Sequence, residues 1–225
     1  MQIDIVRGHH PPENASGATV VIDVIRAFTT ACYAFRKQVS GIYPVFTADE
    51  AFALKQQLPD ALLVGEIEAL PIPGFDFGNS PWEIDRAELA ERALIMRTTN
   101  GIAATLNARS SRQVLVAGLV NAEATVAWLK RHQFDRVVLV ASHPTGDEDV
   151  ACAEYMSGLL GGQGIPLAAA IQRTRHASAA VKFIERHHPN LHPEDIEMAA
   201  TSLGHEGLVM GVSYEPAPLI QLLSD

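Results

Sequence analysis

Val20-Val21-Ile22-Asp23-Val24-Ile25-Arg26-Ala27-Phe28-Thr29-Thr30 runs an apolar, β-branched stretch directly into helix-compatible residues. Val20 to Ile25 reads as a buried strand and Ala27 to Lys37 as the helix after it. The alternation repeats outward from there. Ile42 to Phe46, Ala61 to Gly65, Ala93 to Arg97, Val114 to Ala117 and Val137 to Ala141 read as further strands. Asp49 to Gln57 reads as a helix capped by Asp49, and other helices begin near Asn100, Asn121 and Asp147. Short continuous apolar strands alternating with helices predict an α/β fold, a layered and largely parallel sheet with helices on both faces. A strand-helix echo between the halves adds the option of two similar α/β lobes within one domain over 1–225. Gly161-Gly162-Gln163-Gly164 is a helix stop and the natural lobe boundary.

The 225 residues are 48% hydrophobic and 19% charged, an ordinary globular balance that can bury a core. A formal net charge of -9 argues against nucleic acid or an anionic membrane as partner, since both need clustered Lys and Arg. A small anionic substrate remains compatible, because a metal or a few cations reverse the sign inside one cleft. Met1 to Arg7 alternates like a strand and lacks a signal-peptide profile; no apolar run reaches transmembrane length. Cys32 and Cys152 form no redox or metal spacing, so a cytoplasmic location is expected, and homo-oligomerisation is left open.

The candidate chemistry sits where strands end or helices begin, where loops converge and helix N-termini offer unsatisfied N–H donors. Asp23 is an acid in an apolar run, a costly placement unless it is catalytic, metal-bound, or ion-paired with Arg26. Arg26 suits a phosphate, and Thr29 and Thr30 are candidate phosphate donors or caps. Glu66 follows the strand at Gly65 and reads as a metal ligand or a solvated loop acid. In Gly74-Phe75-Asp76-Phe77-Gly78-Asn79-Ser80-Pro81, Asp76 is a candidate metal ligand and Asn79 and Ser80 are candidate substrate contacts. The same loop is a tight turn in which Asn79 or Ser80 caps a helix opening at Pro81. Arg97-Thr98-Thr99-Asn100-Gly101 follows a strand and opens a helix, as an anion-binding turn or a plain helix cap would. Arg97 is the candidate for a second acidic group on the substrate. His187, His188, His192 and His205 lack a metal spacing and read as structural or surface residues. Arg173, Arg175 and His176 read as a solvated helix face or a cationic wall.

Taken in order, Val20 to Thr30, Gly65-Glu66, Gly74 to Pro81, Thr98 to Gly101 and Asp149-Val150-Ala151-Cys152-Ala153-Glu154 resemble the 2-phosphosulfolactate phosphatase family, best known from coenzyme M biosynthesis. The likeness covers about residues 1 to 160 and fades in the C-terminal third. It implies Mg²⁺-dependent hydrolysis of 2-phospho-3-sulfolactate or a similar small phosphorylated acid. Asp23, Arg26 and Asp149 would be catalytic, Asp23, Glu66, Asp76 and Asp149 metal-binding, and Thr98, Thr99, Asn100 and Gly101 substrate-binding. Two positions depart from the family pattern. Ile67 stands where many relatives carry Arg, and Ser142-His143-Pro144-Thr145-Gly146 replaces a Gly-Arg loop. A non-catalytic anion- or nucleotide-binding protein on the same scaffold is therefore the alternative.

Overall fold

The computed structural model describes residues 1–223. In chain order the elements are β1 (Gln2–Arg7), β2 (Ala18–Ile22), α1 (Ala27–Arg36), β3 (Gly41–Pro44), α2 (Ala48–Gln57), β4 (Leu62–Ile67), β5 (Leu70–Pro71) and α3 (Pro81–Arg86). There follow β6 (Ala93–Arg97), α4 (Gly101–Asn107), β7 (Gln113–Ala117), α5 (Ala122–His132), β8 (Arg136–Ala141), α6 (Asp147–Leu160), α7 (Leu167–Arg175), α8 (Ser178–Ile184), α9 (Pro193–Ala199), β9 (Met210–Ser213) and β10 (Leu219–Leu222).

The strands form one ten-stranded sheet in the order β1-β8-β2-β7-β9-β10-β3-β6-β4-β5. The expected layered α/β architecture is present, but the sheet is mixed. Within β1-β8-β2-β7 and within β3-β6-β4 every pairing is parallel. Between these blocks lies the antiparallel hairpin β9–β10, which pairs antiparallel to β7 on one side and to β3 on the other. Three successive antiparallel pairings set the two blocks running in opposite senses. A twist of about 20–25° per strand accumulates over the steps from β2 to β6, and the carboxyl ends of those two strands meet at one cleft.

Burial explains the layering. One apolar core runs under both blocks and the hairpin, where Val21, Val116, Met210, Ile220, Ile42 and Met96 of the sheet pack against Phe28 and Phe35 of α1, Ile84 of α3 and Ile102 of α4. On the opposite face α5 and α6 cover the first block through Val126, Leu129, Ala151 and Met156, and α2 covers the second through Ala51. A small separate cluster, Ala180, Phe183, Leu191 and Ile196, joins α8 to α9 and rests on Ile25 and Ala69 beside the cleft.

Local chemistry sets the element ends. β2 begins two residues earlier than its apolar run suggested and stops at Ile22, so Asp23, Val24 and Ile25 form the crossing into α1. The strand gives way there because the Asp23 carboxylate turns to the backbone N–H groups of two helices. β4 continues through Ile67, which puts Glu66 inside the strand. Thr47, not Asp49, caps α2, in a reciprocal capping box with Glu50. Ser80 caps α3 ahead of Pro81, as its turn chemistry required. Asn121 does not cap α5 with its side chain; it accepts from the N–H of Gly118 and donates to the Leu208 carbonyl. Gly161 ends α6 in the left-handed region at φ 96°.

Ile220 is fully buried at the centre of the hairpin, paired with Val212 and Ile42. Ile220→Ala should therefore cost about 2–5 kcal/mol, read as a shift of the urea midpoint with an unchanged m-value.

Candidate active site

Asp23 stands at the end of β2, 5% exposed. Its Oδ1 accepts from the N–H of Ala27 at 3.0 Å and its Oδ2 from the N–H of Gly101 at 2.8 Å. These are the first residues of α1 and α4, so one carboxylate caps two helices and meets the positive end of each dipole. Only glycine fits at 101, because a Cβ there would lie 2.7 Å from Asp23 Oδ2 and 2.8 Å from its Cβ. Burial, aided by the charges of Glu66 and Glu148, drives the Asp23 pKa up to about 6 against the pull of the two N–H donors.

Three more buried acids share this neighbourhood. Asp149, in the first turn of α6, accepts from the N–H of Val24 at 2.8 Å, the N–H of His143 at 3.0 Å and the Ser142 hydroxyl at 3.3 Å. Burial, then Asp23 and Glu148, hold its carboxyl well above the ordinary range. Glu148 is also raised by burial, and its Oε2 has no hydrogen-bond partner among the described residues. Glu66 accepts from the N–H of Ala69 at 2.6 Å and of Thr99 at 2.7 Å. The N-terminal charge effect expected for Asp147-Glu148-Asp149 thus accounts for Asp147, which pairs with Arg173, but not for its two buried neighbours.

Asp23, Arg26, Glu66, Asn79, Thr99 and Asn100 line a single cavity of about 190 Å³. The sequence motifs therefore converge from the ends of β2, β4 and β6 and the loop before α3. Asn79 Oδ1 is buried and unpartnered among the described residues. Asn100 Oδ1 lies 2.7 Å from His9 Nε2. His143 also reaches the cavity; its Nδ1 accepts from the N–H of Thr145, which leaves Nε2 to carry the proton of the neutral ring.

Arg26 does not pair with Asp23. Its guanidinium bonds Asp195 Oδ2 at 2.7 Å and the Ala69 carbonyl at 2.9 Å, and lies 4.5 Å from the centroid of the Phe183 ring. Asp195 is fully buried and also accepts from the Ser80 hydroxyl at 2.7 Å and the Trp82 N–H at 3.1 Å. The carboxylate of the pair is well hydrogen-bonded, which favours tolerating a buried ion pair, while Arg26 uses only two of its guanidinium donors on protein groups. Ala69, at φ 71° in the region that favours glycine, is held between Arg26 and Glu66.

Other expected site residues point elsewhere. Asp76 Oδ2 accepts from the N–H of Leu63 near the start of β4 and does not line the cavity. Thr29 and Thr30 are fully buried in α1; the Thr29 hydroxyl donates to the Val24 carbonyl. Ser80 is spent on capping and on Asp195. Thr98 accepts from the N–H of Ile102, and Arg97 donates to the Glu66 carbonyl at 2.6 Å. Arg173 and Arg175 pair with surface acids, as a solvated face does. His192 bonds Glu83 and stacks on Trp82, and His187 bonds Glu185. Cys152 is buried and its thiol pKa is pushed far up, so it is inert packing.

Sequence reasoning missed Asp195, Glu148 and the α8 residues Lys182 and Phe183. Asp195 and the α8 pair belong to short C-terminal helices without a motif, while the acid at 148 had an adequate bland explanation. Among the described residues no group of three or more His, Cys, Asp or Glu is placed to enclose a metal ion, and no helix is long and apolar enough to cross a membrane.

The family model for 2-phosphosulpholactate phosphatase matches residues 5–201, past the point near residue 160 where the motifs fade. A probable 2-phosphosulfolactate phosphatase of Bacillus subtilis is 43% identical over 199 residues, 87% of each chain. Proteins of the same name from Deinococcus radiodurans and Carboxydothermus hydrogenoformans are 37% and 38% identical, over 71% and 72% of this chain and 68% and 69% of theirs. With its buried Asp23, Glu66 and Asp149 in the order of the motifs and a match over most of its length, the chain belongs to the 2-phosphosulfolactate phosphatase family.

Proposed function

We propose that this protein is a Mg²⁺-dependent phosphoric monoester hydrolase that converts 2-phospho-3-sulfolactate, or a closely similar phosphorylated acid, to the hydroxy acid and inorganic phosphate. The observation that carries this reading is Asp23, a buried carboxylate with a pKa near 6 that faces an anion-sized cavity beside Arg26. Relatives that share most of the chain bear the phosphatase name, which supports the substrate class.

The donor set fits magnesium in charge and in kind. Asp23, Glu66, Glu148 and Asp149 place mutually repelling hard oxygens in one buried neighbourhood, a strong demand for a cation. Among the described residues no three of these acids converge to enclose an ion; Mg²⁺ usually keeps several waters and uses one or two carboxylates plus a substrate phosphate. Asp23 and Glu66, which line the cavity, would hold it, with Asp149 and Glu148 adding negative field behind them. When bound, the ion neutralises charge on the phosphoryl oxygens.

The chain's own groups supply the rest. Asp23 is fixed by two N–H bonds that leave further lone pairs on its oxygens, and it attacks phosphorus or orients the water that does. Arg26, locked by Asp195 and Ala69, keeps unused guanidinium N–H donors for the phosphoryl oxygens. His143, its Nδ1 engaged, can stabilise the departing oxygen by a hydrogen bond from Nε2–H as the phosphorus–oxygen ester bond breaks, and water supplies the proton that completes the hydroxy acid. Phosphate release from 2-phospho-3-sulfolactate, 2-phospholactate and an aryl phosphate, with and without Mg²⁺, tests the reading. Metal-independent binding without turnover would instead place the chain among anion-binding proteins.

Asp23→Asn should lower kcat by at least about 100-fold. Its amide can accept only one of the two helix N–H bonds, a loss of about 1 kcal/mol, but it also removes the repelling charge, so the urea midpoint should move little. Retained activity would remove Asp23 from the chemistry.

The raised carboxyls also set a pH signature for the metal-free protein. A folded Asp23 holds its proton up to about pH 6, whereas the unfolded side chain releases it at its ordinary value of 3.8. Asp149 and Glu148 shift in the same direction. The folded state therefore binds more protons through this window, and its stability falls as pH rises through it. Thermal melts in EDTA should show a lower Tm at pH 7.5 than at pH 5, and Mg²⁺ should raise Tm more at pH 7.5.

A further inference from the structure

α8 brings to the cleft a cation that no motif marks. Ala179, Lys182 and Phe183 of this helix line the cavity together with Arg26, Glu66 and Asn79. Lys182 is half-buried, with its ammonium 5.8 Å from the centroid of the Phe183 ring.

The three cations of this region are in different states. Arg26 is neutralised by Asp195, and Arg97 donates to the Glu66 carbonyl and the Thr99 hydroxyl without lining the cavity. Lys182 has neither an ion pair nor a hydrogen bond to any of the described residues. Burial and the nearby Arg26 charge lower its pKa, while Glu66 and Glu68 act the other way. A partly desolvated ammonium with its three donors unused is relieved by an oxyanion ligand. The proposed substrate has two to offer beyond its phosphate, a carboxylate and a sulfonate; of these the sulfonate, one carbon farther from the ester oxygen, extends farther from the phosphoryl end that Arg26 and Asp23 mark.

We propose that Lys182, on the wall formed by α8, is the subsite for the sulfonate of the substrate and sets the preference for sulfonated over unsulfonated phosphate esters. This rests on the phosphatase reading for its substrate, but not for its test. Because the sulfonate lies away from the reacting phosphorus, its contact contributes to binding and orientation, so the loss should fall mainly on KM.

The experiment compares wild type, Lys182→Met and Lys182→Arg in Mg²⁺, with thermal melts to show that each is folded. Calorimetric titration of 3-sulfolactate and of lactate reads the subsite without turnover; kcat/KM on 2-phospho-3-sulfolactate and 2-phospholactate reads it during catalysis. A charge-assisted bond is worth about 1.5–3 kcal/mol. Lys182→Met should therefore weaken 3-sulfolactate binding by about 10- to 100-fold, lose correspondingly more kcat/KM on the sulfonated ester, and be largely rescued by Lys182→Arg. Wild-type affinity in Lys182→Met, equal losses on sulfonated and unsulfonated ligands, or a wild type that does not bind 3-sulfolactate would overturn the proposal. Lys182-dependent binding in a protein that hydrolyses neither ester would keep the subsite and overturn the phosphatase reading.

Discussion

Two backbone N–H groups meeting one carboxylate hold this candidate site together. Asp23 leaves the end of β2 and receives the first amide of α1 and the first amide of α4. α1 belongs to the block of β2, whereas α4 follows β6 of the oppositely directed block. The carboxylate thus fixes where the two halves of the sheet meet, and Gly101 permits the approach because a side chain there would occupy the space of Asp23 itself. A residue placed this firmly is preorganised, so little of the geometry must be found after substrate arrives.

The second constraint is electrostatic. Four buried acids in one neighbourhood are unfavourable without a counterion, and the chain does not cancel them with its strongest nearby cation. Arg26 is given to Asp195, which also takes the Ser80 hydroxyl and the Trp82 amide and so ties the arginine to the loop before α3. The acids keep their mutual repulsion. Local instability of this kind is the usual accompaniment of a site built to receive something.

Much of the first 160 residues was legible because the signal is local. Continuous β-branched runs locate β6, β7 and β8 to within about one residue and β2 to within about three, and an acid in an apolar run singles out Asp23 as a candidate. The failures are equally physical. Asp76 has the residue type of a metal ligand, but its Oδ2 accepts from the Leu63 amide thirteen residues away and it does not line the cavity, a placement that only the bend of the loop reveals. The partner of Arg26 lies 169 residues downstream, and no periodicity carries information over that distance. The C-terminal third was opaque because α8 and α9 are two-turn helices and β9 and β10 are four-residue strands, each too short to show a pattern before tertiary packing selects it.

That late segment occupies the middle of the sheet. Met210–Ser213 and Leu219–Leu222 are inserted between β7 and β3, strands made some hundred or more residues earlier in the chain. While the chain is being synthesised, β7 and β3 must wait as open edges, with unpaired amides and carbonyls and apolar faces exposed. The molecule is therefore most vulnerable to intermolecular strand pairing until β9 and β10 have been made. Its two halves form one surface only when the hairpin closes the seam, so folding is dominated by sequence-distant contacts and is expected to be slow for its size.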